Sequence, residues 1–159
     1  MDRARGGDLR GQDVPGGSLP GSPLPGSDVQ VVELAVDGDV VRARHVVRDL
    51  AVRLGFDLVT QTKLVTAASE LARNTVLHGG GGTMTLEPVQ EGGRAGVRIA
   101  FADTGPGIAQ VDQALTEGWS SGGGMGLGLT GSRRLVHEFS IDSEPGRGTT
   151  VTVVVWRRG

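Results

Sequence analysis

Two glycine-containing segments carry residues whose types and spacing suit a phosphate-bearing ligand. The first is Asp103-Thr-Gly-Pro-Gly-Ile108, and the second is Gly122-Gly-Gly-Met-Gly-Leu-Gly-Leu129. Glycines let backbone N–H groups approach phosphate oxygens because no Cβ stands in the way, and a helix N-terminus adds partial positive charge. A carboxylate at the end of a strand can accept a hydrogen bond from an amino group on a base. Together the two segments predict a ligand that carries both phosphates and a base.

A second pair of polar residues, Glu70 and Asn74, lies within a predicted helix. Residues four apart in a helix share one flank, so both side chains can be aimed at one point. Taken singly, each of these signals also fits an ordinary structure: a turn containing a proline, a glycine linker, or a solvated helix flank. Their joint occurrence, in order and on the expected element types, favours a nucleotide site.

Composition narrows the class of protein. The 159 residues suit a single domain with a substantial core, and the absence of cysteine excludes disulfides, thiolate metal sites and a cysteine nucleophile. A net charge of −2 gives no general preference for nucleic acid or anionic lipid. No apolar run approaches the roughly 20 residues that span a bilayer, and MDRARGGDLR lacks the apolar segment of a signal peptide. We therefore expect a cytoplasmic protein with no membrane or nucleic-acid partner.

The first 28 residues differ in composition from the rest. They contain four of the seven prolines, many glycines and few large apolar residues. Such a segment cannot bury enough surface to offset the entropy of ordering. The predicted organisation is a disordered tail over residues 1–28 and one domain over residues 29–159.

The domain begins with a predicted strand, VQVVELAV, in which Val32, Leu34 and Val36 share one face. A helix capped by Asp37 or Asp39 should follow and stop at Gly55. A second helix is predicted from about residue 58 to 78, with Asp57 or Thr60 as its cap and glycines 79–82 as its end.

The second half of the domain predicts a hairpin, two helices and two closing strands. TMTLEPV and AGVRIAFAD form the hairpin around a glycine turn, and Asp103 ends its second strand. A short helix over residues 111–117, a polar segment over 118–124 and a helix over 127–138 precede the strands FSIDSE and TTVTVVVW. This order predicts an α/β two-layer sandwich with a mixed, mostly antiparallel sheet and helices on one face.

Four motifs in this chain resemble those of the GHKL ATPase superfamily. Glu70-Leu-Ala-Arg-Asn74 resembles the N box, Asp103-Thr-Gly-Pro-Gly107 and Gly122 to Gly128 resemble the two glycine boxes, and Gly148-Thr-Thr150 resembles the closing threonine motif. They occur in the same order and cover nearly everything from Val29 onward. Within the superfamily, SELARNTVLHGGG, GWSSGGGMGLGLTGSRRL and SEPGRGTTVTV resemble the RsbT-type switch kinases most. The resemblance implies a Bergerat fold that binds ATP or ADP with Mg²⁺.

The resemblance also implies a role for each matching residue. Asp103 would accept a hydrogen bond from the adenine 6-amino group, supported by Thr149, and Asn74 would bind Mg²⁺ through its amide oxygen. Glu70 would be the catalytic base, and the residue alone does not decide whether it activates water, as in ATPase members, or faces a partner hydroxyl, as in the switch kinases. The remaining implied nucleotide-binding positions let the chain pass close to the nucleotide or wrap its phosphates: Gly105, Gly107, Gly122, Gly123, Gly124, Met125, Gly126, Leu127 and Gly128.

The function implied is an ATP-dependent serine/threonine protein kinase that phosphorylates a STAS-domain regulatory protein in bacterial stress or sigma-factor control. The alternative is a nucleotide-modulated binding module with little turnover, acting as an anti-sigma factor or phosphatase activator. A sigma factor or a phosphatase is a further partner that the resemblance allows, as is a second copy of the chain. A sensor histidine kinase would need an upstream helical hairpin with a phosphoacceptor histidine, which this sequence does not predict.

Overall fold

The computed structural model describes residues 19–108 and 125–158, with only the backbone described for residues 125–128. Within these ranges the chain forms six strands and three helices. In chain order they are β1 (Ser22–Pro23), β2 (Gln30–Leu34), α1 (Asp37–Arg53), α2 (Leu58–Leu77), β3 (Gly82–Glu91), β4 (Arg94–Asp103), α3 (Met125–Leu135), β5 (Glu138–Glu144) and β6 (Gly148–Trp156). None of the described helices is long and apolar enough to cross a membrane.

The six strands form one sheet in the order β1-β3-β4-β6-β5, and β2 pairs with β3 beside β1. Every pairing in the described residues is antiparallel, which is more uniform than the mixed sheet predicted. The β3–β4 hairpin turns through Gly92 and Gly93, both with positive φ, as a two-residue hairpin turn requires. The order places β4 and β6, whose ends carry the candidate site, at the centre of the sheet.

The helices cover one face of the sheet and enclose the main core. Alternate strand residues face the helices, as the period of two in a strand requires. Buried members of this core include Leu34, Val47, Leu64, Leu71, Met84, Leu86, Val97, Ile99, Phe101 and Val153. The predicted α/β two-layer sandwich with helices on one face is confirmed.

Side chains define where the first two helices begin. At the start of α1 the Asp39 carboxylate accepts hydrogen bonds from the backbone of Ala35 and Val36, at 2.8 and 3.1 Å. These bonds hold the pKa of Asp39 below its usual value. At the start of α2 the Asp57 carboxylate accepts from the backbone N–H of Thr60 at 2.7 Å, so Asp57 is the cap.

The prediction that Val36 shares the buried strand face is wrong. The strand β2 ends at Leu34, and Val36 is the residue before α1, with 62% of its surface exposed. The backbone at Val36 is still extended, but its N–H donates to the Asp39 carboxylate, and the helix begins at the next residue. Apolar residues continue to alternate in the sequence as far as Val36, which is two residues past the end of the strand.

The prediction of disorder up to residue 28 is wrong for residues 19–28. Ser22 and Pro23 pair with β3, and the Leu19 side chain packs on Val89, Val154 and Trp156 at the face of the sheet opposite the helices. Arg98 donates to the carbonyl oxygens of Gly21 at 2.9 Å and Leu19 at 3.5 Å. A few contacts to an existing sheet therefore order a segment that could not fold alone. The rest of the predicted tail, residues 1–18, lies outside the described residues.

Candidate nucleotide-binding site

The Asp103 carboxylate lies at the centre of the candidate site, at the end of β4. Its Oδ1 atom accepts two backbone hydrogen bonds, from Gly105 at 2.9 Å and from Thr149 at 3.2 Å. Its Oδ2 atom receives none from any described residue and lies against Gly79. Two backbone donors on one oxygen fix the plane of the carboxylate. The other oxygen is left to accept a hydrogen bond from a ligand.

Glycines surround this carboxylate because backbone approaches it closely. A Cβ on Gly79 would collide with the Asp103 side chain, and a Cβ on Gly105 would collide with the backbone of Gly79. Gly148 has a φ of +111°, and a Cβ there would collide with the Asp103 carbonyl oxygen. Sequence reasoning assigned Gly79 only to the end of a helix. The contact that requires it joins residues far apart in the chain, so local sequence gave no signal.

The segment after Asp103 is held against the turn between β5 and β6. Gly107 has a φ of +78°, and a Cβ there would collide with the Glu144 carbonyl. The backbone N–H of Gly146 donates to the Pro106 carbonyl at 2.7 Å. Both predicted glycines of this motif, Gly105 and Gly107, are thus at points of close backbone contact.

The helix α2 brings Asn74 and Glu70 toward the same region. Its last turn is closed by Gly79, whose N–H donates to the Asn74 carbonyl at 3.2 Å, and by Gly81, whose N–H donates to Thr75 at 2.9 Å. Gly79 also touches Asp103. The end of the helix that carries Asn74 therefore abuts the carboxylate.

The Asn74 amide has an unsatisfied polar atom. Its Nδ2 atom is buried and has no hydrogen-bond partner among the described residues. An unpaired buried amide is costly, so such a group is a candidate for contact with a ligand. The amide can turn over to present its oxygen instead, and an amide oxygen is a hard ligand that suits Mg²⁺. Asn74 therefore fits the metal role that the resemblance implies.

Glu70 lies one turn before Asn74 and is partly exposed. Its carboxylate pairs with Arg73 at 3.0 Å, with 44% and 45% of the two side chains exposed. Exposed pairs of this kind contribute about 0–1 kcal/mol and rearrange easily. Sequence reasoning did not include Arg73, although its spacing of three from Glu70 was a usable signal. No described cluster of three or more histidine, cysteine or acidic residues could hold a metal ion, so a cation here would depend on phosphate and water oxygens besides Asn74.

The second glycine motif is described only in part. Met125, Gly126, Leu127 and Gly128 form the first turn of α3, and α3 packs against α2. Leu129 enters the core. Gly122, Gly123 and Gly124 lie outside the described residues, as do the predicted short helix over residues 111–117 and the polar segment over 118–124. The helix start at Met125 lies two residues before the predicted position.

Comparison with known proteins decides the family. Residues 59–158 match the family described as histidine kinase-, DNA gyrase B- and HSP90-like ATPase, a stretch that begins in α2 and ends just after β6. The chain belongs to this ATPase family. A member of it binds ATP, and every described residue of the candidate site lies inside the matched stretch.

The chain is also similar to two named bacterial proteins. It is 40% identical over 131 residues to the serine/threonine-protein kinase RsbT of Bacillus subtilis, covering 82% of this chain and 98% of that protein. It is 28% identical over 115 residues to an anti-sigma F factor of Thermoanaerobacter pseudethanolicus, covering 69% of this chain and 79% of that one.

Solved structures agree on the fold. The RsbU and RsbW domains of a Mycobacterium tuberculosis protein superpose with a TM-score of 0.58 at 22% identity, covering 87% of this chain and 34% of that longer chain. The mycobacterial sensor histidine kinase MprB superposes with a TM-score of 0.50 at 19% identity, covering 82% of this chain and 99% of that one. At these identities the likeness concerns the fold.

Proposed function

We propose that this chain is an ATP-dependent serine/threonine protein kinase that phosphorylates a STAS-domain regulatory protein in bacterial partner switching. The observation that carries the proposal is the Asp103 carboxylate, held by two backbone donors with one oxygen left for a ligand, beside the end of the helix that bears Asn74 and Glu70. The 40% identity to RsbT over most of both chains supports the kinase class. Such a kinase would act in the cytoplasm, which supplies its ATP.

Asp103 would recognise the adenine base of the nucleotide. Its Oδ2 atom would accept a hydrogen bond from the 6-amino group of adenine, while guanine offers a carbonyl oxygen at that position and would be repelled. A buried acceptor left unpaired by the wrong base is costly, and this cost discriminates strongly between ligands. Thr149 lies opposite Asp103 on the paired strand and would support the same base.

Asn74 would hold Mg²⁺, which would neutralise phosphate charge when bound. The buried Nδ2 atom of Asn74 has no hydrogen-bond partner among the described residues, so this amide is available to a ligand, and it would turn over to present its oxygen to Mg²⁺. The backbone N–H groups at the start of α3, which begins at Met125, would face the phosphates together with the glycines before them. These groups position the nucleotide and favour its negative charge.

Glu70 would act as the base on the partner's hydroxyl. The hydroxyl oxygen attacks the γ-phosphorus, the bond from that phosphorus to the bridging oxygen breaks, and ADP leaves. Glu70 accepts the hydroxyl proton. For this role the carboxylate must turn from Arg73 toward the incoming partner, and the exposed pair of these two side chains permits that movement.

A second candidate function is a binding module that sequesters its partner and turns over little ATP. The similarity to an anti-sigma F factor over 69% of this chain favours it. The two candidates differ in one observable. A kinase leaves phosphate on the partner, whereas a binding module forms a nucleotide-dependent complex in which the partner is unmodified.

The test is incubation of the chain with γ-labelled Mg-ATP and STAS-domain proteins encoded nearby, followed by measurement of label on the partner. The kinase proposal expects label on a serine or threonine. Complex formation without label, under saturating ATP, would contradict the kinase and support the binding module.

Replacing the base tests its assignment. Glu70→Gln should leave ATP affinity nearly unchanged and slow transfer by roughly 10²-fold or more, the usual contribution of a general base. Glu33→Gln, at an exposed position on β2, is the control and should transfer phosphate at the parental rate. If Glu70→Gln also transfers at the parental rate, Glu70 is not the base.

A further inference from the structure

Ser143 belongs to a row of side chains that runs from the edge strand β5 across β6 to the end of β4. It lies directly opposite Thr149 in the pairing of β5 with β6, and Thr149 lies directly opposite Asp103 in the pairing of β6 with β4. Directly opposed residues of antiparallel strands present their side chains on the same face. The hydroxyl groups of Ser143 and Thr149 therefore stand in line with the carboxylate.

The Ser143 hydroxyl makes three polar contacts. It accepts a hydrogen bond from the backbone N–H of Ile108 at 2.7 Å. It lies 2.7 Å from the Thr149 hydroxyl and 3.2 Å from the Gly148 carbonyl oxygen. A serine hydroxyl has a single hydrogen to donate. That hydrogen goes either to Thr149 or to Gly148.

The distances favour donation to Thr149. Hydroxyl-to-hydroxyl bonds are usually 2.7–2.8 Å long, and 3.2 Å is beyond their usual range. When Ser143 donates to Thr149, the Thr149 hydroxyl keeps its own hydrogen for another acceptor. When Ser143 donates to Gly148 instead, Thr149 must donate to Ser143 and can only accept from a ligand. The state of Ser143 thus decides whether Thr149 is a donor or an acceptor.

We propose that Ser143 is a positioning residue that fixes the Thr149 hydroxyl as a hydrogen-bond donor to the ring nitrogen N1 of adenine, directly or through one water. The proposal rests on the adenine-nucleotide site of the proposed function. Adenine presents a donor, its 6-amino group, next to an acceptor, N1, and the pair of Asp103 acceptor and Thr149 donor complements that order. Guanine presents the reverse order, so the same hydroxyl polarity acts against it.

The contact with Ile108 ties this polarity to the loop that follows Asp103. Because Ser143 already accepts from the Ile108 N–H, its hydroxyl is held by the end of that loop as well as by β6. Ile108 is itself buried in the core, so the anchor is firm. Loss of the Ser143 hydroxyl would leave the Ile108 N–H unpaired and free the Thr149 hydroxyl to rotate.

The experiment compares ADP with 1-deaza-ADP, in which a C–H group replaces N1. Calorimetry without Mg²⁺ measures both affinities for the intact chain, Ser143→Ala, Ser143→Thr and Thr149→Val. The parent should prefer ADP by roughly fivefold or more, the worth of one net hydrogen bond. Ser143→Ala and Thr149→Val should each reduce this preference toward one, and Ser143→Thr, which keeps a hydroxyl, should restore it.

Two controls separate positioning from general damage. Ser140→Ala removes a buried hydroxyl from the same strand, outside the row, and should keep the parental preference. Ser143→Ala made in the Thr149→Val background should cause no further loss of preference, because both changes remove the same interaction.

Three other results are possible, and each would contradict either the inference about Ser143 or the proposed nucleotide site. Equal weakening of ADP and 1-deaza-ADP by Ser143→Ala, with the preference kept, would make Ser143 merely structural and overturn the inference. A parent that binds ADP but shows no preference over 1-deaza-ADP would also overturn it, since Thr149 would then donate nothing to N1. A parent that binds neither nucleotide would instead contradict the proposed nucleotide site.

Discussion

At the residue scale, the site depends as much on missing side chains as on present ones. Gly79 and Gly105 allow two backbone segments to close around the Asp103 carboxylate, and a Cβ on either would overlap its surroundings. The carboxylate is held by this packing and by the donors from Gly105 and Thr149. A ligand therefore meets an acceptor whose orientation is set before binding.

Gly79→Ala should abolish or severely weaken ATP binding, because the new Cβ would displace the Asp103 carboxylate. Gly38→Ala is the matched control, since a Cβ at that helical glycine meets nothing within 4 Å. Calorimetric titration with ATP measures both, and circular dichroism checks the fold. Parental affinity in folded Gly79→Ala would mean that the position of the carboxylate does not matter for binding.

Site residues could be predicted from the sequence where they belong to a single local motif. Asp103 and Thr149 followed from their motifs, and the structure brings them together across β4 and β6. Their roles remain predictions. Gly79 and Ser143 lie in segments that resemble the switch kinases, but their roles could not be anticipated, because these roles arise from contacts with Asp103 and Thr149 that only the pairing of distant segments creates.

At the element scale, helix starts and ends decide where the functional side chains stand. The Asp57 cap and the terminal glycines fix the length of α2 and so the position of Asn74 near its end. These limits were predictable because caps have local sequence signals. The end of β2 was not predictable, because apolar residues continue to alternate through Val36, while the backbone N–H of Val36 already donates to the Asp39 carboxylate at the start of the helix.

Asp57→Ala should lower the thermal midpoint by a few degrees at neutral pH, because it removes the acceptor for the Thr60 N–H. Hydrogen bonds from the Thr60 side chain and backbone hold the pKa of Asp57 below its usual value. A carboxylate with a lowered folded-state pKa stabilises above about pH 4 and loses this effect as the pH falls through the folded pKa.

The difference between Asp57→Ala and the parent should therefore shrink in acid. Thermal melts from pH 7 down to pH 3 measure it. Asp37→Ala, at the start of α1 where no side-chain cap bond involves Asp37, is the control and should change the midpoint less. If the thermal midpoint of Asp57→Ala stays below that of the parent by the same amount down to pH 3, the charge of the Asp57 cap is not the cause of the difference.

At the scale of the whole molecule, the segment before the first long strand completes the sheet. Residues 19–23 cover the end of the helix-free face, where Leu19 packs on Trp156 and neighbouring valines and Arg98 binds the segment's carbonyl oxygens. Composition alone predicted disorder because it counts only what a segment can bury within itself. The partner surface for this segment is formed by residues that follow it by about 70 to 135 positions.

A chain shortened to begin at Asp28 should be less stable than one that begins at Leu19, by on the order of 2 kcal/mol for the lost apolar burial. Urea unfolding measures the difference, and Leu19→Ala in the full chain should give part of it. ATP affinity should be the same in both shortened chains, because this segment lies away from Asp103. Equal stability would mean that the Leu19 contacts contribute nothing.

The central claim is that the Asp103 carboxylate selects adenine. Calorimetry with ATP and GTP, on the parent and on Asp103→Asn, tests it most directly. The parent should bind ATP at least about 100-fold more tightly than GTP.

In Asp103→Asn the two backbone donors should keep the amide oxygen at the Oδ1 position, so the NH₂ group would face the adenine amino group. The ATP affinity of the variant should then fall, and its preference for ATP over GTP should be less than about tenfold. Equal binding of ATP and GTP by the parent, or an unchanged preference in the variant, would contradict the account.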